Sequence, residues 1–398
     1  MKILWLAPSF LHPTTRGGQI RSLEMLRCLH RRHEIHYLAL HNPRYPEAVP
    51  LSAEYCTRAW PVSHVMPPKS SPAFWAQAAR GLFSPVPTVV TRKESAGMKQ
   101  LAVELLARES FDRVVCDFLT PSINLPASCP FVLFQHNVET LIWRRYAERA
   151  RDPLRRAYYR LQANRLFEFE RRACLRAAHV ATVSENDAEL LREWFGIPAA
   201  TSIPTGVNAD YFEPPAGAAP KPTADLVFVG SFDWTPNIEG ISWFVREVLP
   251  LIRRQRPACS LALVGRDPVP AIRALAEADP RITVTGTVPD VRPWLWGGGI
   301  SIVPLRIGGG TRLKIYESMA AAIPVVSTTI GAEGLEIDPP HNIRIADTPA
   351  DFAEACLRLL DNPEERTAVA RAAVEMVRRR FSWENAARCL EDILAHYG

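Results

Sequence analysis

Short apolar runs alternating with amphipathic stretches constrain the fold of this chain more than any other feature. Runs at 2–7, 34–40, 113–117, 131–135 and 178–183 are almost continuously apolar, and helical stretches separate them. A strand that is apolar at every position, not at every second one, must be buried on both faces. That is the condition of a strand in a parallel sheet covered by helices. The pattern returns at 226–230, 259–264, 282–285, 299–303, 324–327 and 342–345. Between the two sets lies EPPAGAAPKPTAD, residues 213–225, rich in Pro, Ala and Gly and without apolar period, which reads as an interdomain linker. A chain of 398 residues also exceeds the size at which one core keeps growing. The expectation is an α/β protein of two doubly wound domains facing a cleft, with ligands at the carboxyl ends of the strands.

Composition narrows the class further. The chain is 47% hydrophobic and 22% charged, as in ordinary globular proteins, and its 35 prolines punctuate element ends instead of forming one tract. Eight cysteines are scattered with no CxxC pair, which reads as reduced core residues of a cytosolic protein. The N-terminal MKILWLAPSFLHP has a short apolar part that stops at a proline, with no small-residue cleavage site after it, so a buried first strand explains it better than a signal peptide. No segment reaches the roughly 18 apolar residues of a membrane span. The protein is expected to be soluble, or at most bound to a membrane surface.

The stretch PLRIGGGTRLKIYESMAAAIPVVST, 304–328, carries the most chemistry. A strand ends at its start, RIGGG leaves the carboxyl end, and TRLKIYESMAAA reads as a helix with Leu313, Tyr316 and Ala320 on one face. Glycines such as Gly309 and Gly310 let backbone amides approach an anion, and the positive end of the helix attracts it. Arg312 and Lys314 add positive charge in the first turn, where it is unfavourable for the helix dipole unless an anion is present. A phosphate resolves that conflict; a flexible loop with solvated cations is the alternative. Glu317, one turn from Lys314, either accepts hydrogen bonds from a ribose diol or pairs with Lys314 at the surface.

GGGTRLKIYESMAAAIPVVSTTIGAEGL strongly resembles the donor-site signature of glycosyltransferase family four, retaining enzymes of the GT-B fold that use nucleotide sugars. Other segments match in order: APSFLHPTTRGGQIRSLEML near the N-terminus, QHNVET at 135–140, VSENDAELL at 183–191, IPTGVNADYF at 203–212, VFVGSFDWTPN at 227–237 and VTGTVPDVRPWL at 284–295. The expected domains are an acceptor-binding Rossmann-like domain over 1–213, a linker over 214–224 and a nucleotide-sugar-binding domain over 225–378. A terminal helix over 379–398 is expected to return to the first domain.

The resemblance implies a role for each element. Gly17 and Gly18, in the loop after the first strand, look like the glycine loop facing the donor diphosphate and acceptor. A turn in a flexible loop is the alternative. His136, directly after the strand FVLFQ, resembles the histidine beside the donor sugar, although HNVET also reads as a helix start with Asn137 as N-cap. Gly230 and Gly265 close the first two strands of the second domain, where the nucleotide approaches, and Val288 stands where the family contacts the base. Thr311, Arg312, Lys314 and Glu317 complete the donor set, with Lys314 and Glu317 counted with His136 as catalytic. Ser184 reads as an N-cap, with Asp187 three residues on and Gly196 ending that helix.

Two departures stand out. Many members carry a second glutamate eight positions before this one, but Gly309 is there. Many also have Arg and Lys after the first strand of the second domain, where this chain has Ser231 and Asn237. Arg312 and Lys314 must then supply the positive charge, which suggests a GGGTRLK subgroup. No DxD-like acidic pair stands at a strand end, so no metal and no cofactor are expected beyond the nucleotide sugar itself. The implied function is sugar transfer from a nucleoside-diphosphate sugar to a saccharide or lipid-linked acceptor in cell-surface polysaccharide synthesis. An epimerase of the same architecture and a non-catalytic nucleotide-sugar-binding partner are the alternatives. A dehydrogenase is disfavoured because neither domain's first strand is followed by GxGxxG.

From Arg144 to Arg176 there are eleven arginines against Glu148, Asp152, Glu168 and Glu170, an excess of seven in a chain of net charge +5. A basic helical face carrying Arg155, Arg156 and Arg160, with FWAQAARGLF at 74–83 as an amphipathic neighbour, suits an anionic membrane surface at the cytoplasmic face. A solvated helix pair with internal Arg–Glu bridges is the alternative. Nucleic acid is a poorer partner because no recognition module accompanies the charge.

Overall fold

A computed structural model describes residues 1–14, 17–65, 71–72, 81, 84–215, 221–308 and 311–397. It divides into two units, residues 1–204 with 383–398 and residues 205–382. The strands of the first unit are β1 (Lys2–Ala7), β2 (Glu34–His41), β3 (Arg58–Ser63), β4 (Arg113–Asp117), β5 (Val132–Gln135), β6 (His179–Thr182) and β7 (Ala200–Ser202). They form a sheet in the order β3-β2-β1-β4-β5-β6-β7, all pairs parallel. In the second unit β8 (Ala224–Val229), β9 (Leu261–Val264), β10 (Ile282–Gly286), β11 (Gly298–Val303), β12 (Val325–Ser327) and β13 (Arg344–Ile345) order as β10-β9-β8-β11-β12-β13, again parallel.

The apolar runs of the central strands match sheet faces that are both covered; the edge strands β10 and β13 are only partly buried. In the second unit the alternation is explicit. Leu226, Phe228, Leu261, Leu263, Ile300 and Ile302 enter one core cluster, while Val227, Ala262, Val264 and Val303 enter another. Period-two geometry sends neighbouring residues to opposite faces, so a run with both faces buried has no polar position to show. The strands absent from the sequence reading, β3 and β7, are the two edges of the first sheet. β3 (RAWPVS) mixes exposed and half-buried residues and contains Pro61, while β7 has only three residues. Edge strands need no second apolar face and tolerate proline, so their pattern is weak.

The boundary between the units falls at Pro204/Thr205, earlier than the proline-rich linker suggests. Val207 and Phe212 belong to the second unit's core, with the short helix Ala209–Phe212 beside the helix Leu313–Ala320. Residues 205–213 therefore belong to the second unit. At the other end the helix Trp383–His396 groups with the first unit and packs on the helix Gly17–His30. There Arg32 bonds Glu391 at 2.7 Å and Glu384 at 2.5 Å, and the Arg113 guanidinium bonds the Leu394 carbonyl. All eight cysteines are free thiols, six of them buried. No described helix is long and apolar enough to cross a membrane.

Candidate active site

In each sheet the strand order reverses at one place, between β1 and β4 in the first and between β8 and β11 in the second. Chains diverge there at the carboxyl ends and leave a crevice for ligands. Gly18 and His136 stand beside Phe118 after β4 in the first unit, and Gly230 and Lys314 stand together after β8 in the second.

In the second unit, Gly230 follows β8 and Gly265 follows β9. A Cβ on Gly265 would lie 1.9 Å from the Gly230 carbonyl oxygen, and the Gly265 φ is +156°, so the backbones touch there only because neither carries a side chain. The space over Gly230 holds Lys314, whose Nζ would lie 2.6 Å from a Cβ at that position. Lys314 Nζ donates to Asn237 Oδ1 at 3.1 Å and lies 4.1 Å from the centre of the Phe228 ring. Asn237, itself buried, donates its Nδ2 to the Ser231 carbonyl at 2.7 Å. Asn237 thus orients the Lys314 ammonium.

The helix Leu313–Ala320 begins at Arg312, which places no side-chain acceptor on the first-turn N–H groups. The Arg312 guanidinium is buried and stacks 5.3 Å from the Trp234 ring centre. Lys314 and Glu317 share a helix face but form no ion pair with each other. Among the described residues the Glu317 carboxylate makes no hydrogen bond, which removes the surface-pair alternative. Burial pulls the Lys314 ammonium down to about 7, with Arg312 acting in the same direction and Glu317 against it. Burial likewise pushes the Glu317 carboxyl up to about 7, against the pull of Lys314. Thr311 Oγ1 meets Thr205 Oγ1 at 2.7 Å. Val288 lies in the loop after the edge strand β10 and packs on the core. Gly309 and Gly310 lie outside the described residues.

In the first unit, Gly17 and Gly18 open the helix Gly17–His30 and are not part of the loop. A Cβ on Gly18 would lie 2.6 Å from Phe118 Cζ and 3.6 Å from His136 Nδ1. Phe118 follows β4 with φ +69°, a left-handed conformation costly for a non-glycine residue. Its ring stacks on the His136 imidazole, centroids 3.9 Å apart and planes 10° apart. His136 Nε2 lies 2.7 Å from Asp117 Oδ1. Burial lowers the His136 pKa, with Arg21 in the same direction and Asp117 opposing both.

Asn137 does not cap the following helix. The helix Glu139–Arg149 has Val138 at its N-cap with no side-chain cap bond. Its cap comes from another helix, Pro153–Arg176, whose buried Glu170 accepts from Glu139 N at 2.8 Å and Thr140 N at 3.0 Å and also binds the Gln135 amide. One carboxylate therefore pins both flanks of His136. A carboxylate inside an arginine-rich helix gave no sign of this, because the contact is long-range. Ser184 does cap its helix, accepting from Asp187 N at 3.1 Å, and Gly196 ends it at φ +65°.

Sequence reasoning missed the contacts of Asp117, Phe118 and Trp234 and counted Glu170 only as a charge. Only Asp117 had a usable signal: a carboxylate closing the apolar strand RVVCD. Arg155, Arg156 and Arg160 are exposed on the first turns of Pro153–Arg176, beside Leu154 at 81% exposure. Arg156 also bonds the Ala150 carbonyl at 2.8 Å, closing the preceding helix. Of 74–83 only Gly81 is described. Among the described residues no three His, Cys, Asp or Glu side chains converge as metal ligands.

Comparison with known proteins adds identity to this geometry. The family described as Glycosyltransferase Family 4 matches residues 15–211, and that described as Glycosyl transferases group 1 matches residues 223–362. A GDP-mannose-dependent monoacylated alpha-(1-6)-phosphatidylinositol monomannoside mannosyltransferase of Corynebacterium glutamicum is 27% identical over 217 residues, 50% of this chain and 56% of that protein. An uncharacterized 44.6 kDa protein in the cps region of Klebsiella pneumoniae is 22% identical over 164 residues, 39% of this chain and 42% of that protein. The chain thus spans about half the length of these curated relatives. Among solved structures, sucrose-phosphate synthase from Thermosynechococcus elongatus superposes with TM-score 0.72 at 18% identity, covering 99% of this chain and 98% of that one. Anabaena HepE in complex with UDP and glucose gives TM-score 0.68 at 14% identity, with both chains covered completely. With both halves matched in order and the fold shared from end to end, the chain belongs to glycosyltransferase family four and has the GT-B fold.

Proposed function

We propose that the protein transfers a sugar from a nucleoside-diphosphate sugar to a saccharide or lipid-linked saccharide, with retention at the anomeric carbon and without a metal. The observation that carries this reading is the Gly230 cradle. There Lys314, aimed by Asn237, and Arg312 stand at the open N-terminus of a helix, with the Glu317 carboxylate one turn further. Cleaving the bond from the anomeric carbon to the diphosphate puts negative charge on the leaving oxygen. Cations and helix N–H groups fixed in place stabilise that charge without reorganising. Glu317 accepts hydrogen bonds from the ribose diol, and His136 in the first unit serves the donor sugar. The acceptor hydroxyl attacks from the face the phosphate leaves, and its proton passes to the departing phosphate oxygen. The nucleotide in HepE's complexes and the GDP-mannose dependence of the Corynebacterium relative support a nucleotide-sugar donor. The cps-region origin of the Klebsiella relative supports a role in cell-surface polysaccharide synthesis.

The test is incubation with a panel of nucleotide sugars, with and without lipid-linked acceptors and with and without EDTA. The readouts are nucleoside diphosphate release and the anomeric configuration of the product. Acceptor-dependent release that survives EDTA, with configuration retained, is expected. Altered free sugar without acceptor indicates an epimerase instead, and tight binding with no turnover indicates a non-catalytic partner.

The same reading places the protein at the cytoplasmic face of a membrane, where exposed Leu154, Arg155, Arg156 and Arg160 meet anionic lipid. Cosedimentation with anionic vesicles at low salt, release as salt rises, and loss on Arg155, Arg156 and Arg160→Glu are expected. Equal partition to neutral and anionic vesicles, or none to either, removes the membrane site and leaves the transferase reading standing.

A further inference from the structure

The carboxylate that holds His136 is itself locked. Asp117 is fully buried at the end of β4. Its Oδ1 faces His136 Nε2 at 2.7 Å, and its Oδ2 accepts two donors, Trp5 Nε1 at 3.1 Å and Ser22 Oγ at 2.6 Å. An indole N–H only donates and an ionised carboxylate only accepts, so the direction of every bond in this cluster is set.

We propose that Asp117 is a positioning residue that fixes the tautomer of His136, with the hydrogen on Nε2 and a lone pair on Nδ1, the ring edge turned toward Gly18. The Phe118 stack fixes the plane of the ring, and Asp117 fixes its rotation within that plane and the place of its proton. Burial and Arg21 favour the neutral imidazole, the form in which a tautomer exists to be chosen. Presented this way, the Nδ1 edge can only accept a hydrogen bond. The opposite tautomer would offer a donor there.

Asp117→Asn separates this role from a structural one. The Trp5 indole N–H can only donate, so the new amide's single oxygen must stay on that side, where the Ser22 hydroxyl also donates. Its NH2 then faces His136 Nε2, which becomes an acceptor, and the ring hydrogen moves to Nδ1. The amide can still bond Trp5, Ser22 and His136, so the fold is expected to survive.

The test has two arms. Nitrogen-15 NMR of the imidazole is expected to show a pyrrole-type Nε2 and a pyridine-type Nδ1 in the wild-type protein, exchanged in Asp117→Asn. Adding Trp5→Phe, which frees the amide to turn, is expected to restore part of the original tautomer. Turnover is expected to fall by about 10- to 100-fold in Asp117→Asn, the loss of one well-placed hydrogen bond. Combining it with His136→Ala should cost nothing beyond His136→Ala alone, because the two act through one group. A pyridine-type Nε2 in the wild-type spectrum overturns the proposal even if Asp117→Asn does not fold. An unchanged tautomer in a folded Asp117→Asn protein, or an additive loss in the double variant, overturns it as well. The kinetic arm rests on the transferase reading and the spectroscopic arm does not. Failure to turn over any nucleotide sugar therefore leaves the tautomer result standing.

Discussion

Donor binding should be linked to protonation of Lys314. With its ammonium near 7 in the ligand-free site, about half of the molecules carry this charge at pH 7, about one in ten at pH 8 and about one in a hundred at pH 9. A bound diphosphate needs the charged form. The pKa is depressed in the empty site and rises when the anion arrives, so binding above pH 7 takes up a proton, about 0.9 per site at pH 8. Affinity should fall as pH rises through 7, by about 50-fold between pH 7 and pH 9. Glu317 titrates near 7 as well, in the opposite sense. Its ionisation favours the ribose diol and returns at most a factor of about two over the same range. UDP-glucose and GDP-mannose are suitable probes because their diphosphates are diesters and do not titrate there. Calorimetry in buffers of different ionisation enthalpy reads proton uptake directly, and Kd is followed from pH 6 to 9. Lys314→Arg keeps a charge that never titrates in this range and should flatten the profile. A wild-type Kd constant within twofold from pH 7 to 9, or an equal fall in Lys314→Arg, refutes this account of the site.

The other expectations are more direct. Lys314→Ala and Glu317→Ala should each weaken donor function by about 1.5–3 kcal/mol, since each removes a charge-assisted contact; wild-type affinity and turnover in both would show that phosphate and ribose bind elsewhere. His136→Ala should lower kcat more than donor affinity, and a loss confined to binding would point to a merely structural histidine. Glu170→Ala strips the cap from Glu139 N and Thr140 N, and should cost the first unit about 2–5 kcal/mol in urea unfolding and speed exchange of those two amides. A change under about 0.5 kcal/mol would mean that solvent replaces the cap. Gly18→Ala drives a methyl into Phe118 and is expected to cut turnover through the displaced His136 stack while the protein stays folded.

Local pattern along the chain was enough for the layered α/β architecture and for a candidate site. Eleven apolar runs became eleven strands, nine of them central, because a parallel sheet covered on both faces leaves a central strand few polar positions. The GGGTRLK motif marked Arg312, Lys314 and Glu317 because a helix that starts with cations carries an electrostatic conflict visible in one dimension. Contacts between residues far apart in the chain were not legible there. The edge strands β3 and β7 were recruited by their neighbours, and residues 205–213 went with the second unit because Val207 and Phe212 found their apolar partners there. The cap on the His136 helix came from Glu170, thirty residues on, and not from adjacent Asn137, because a buried carboxylate on a packed helix satisfies two N–H groups at once. The separation of Lys314 from Glu317, and the locking of Asp117 by Trp5 and Ser22, depend likewise on which side chains the folded backbone brings within hydrogen-bond reach. Local pattern encodes burial and charge, but hydrogen-bond partners are assigned only when strands and helices distant in sequence are packed together.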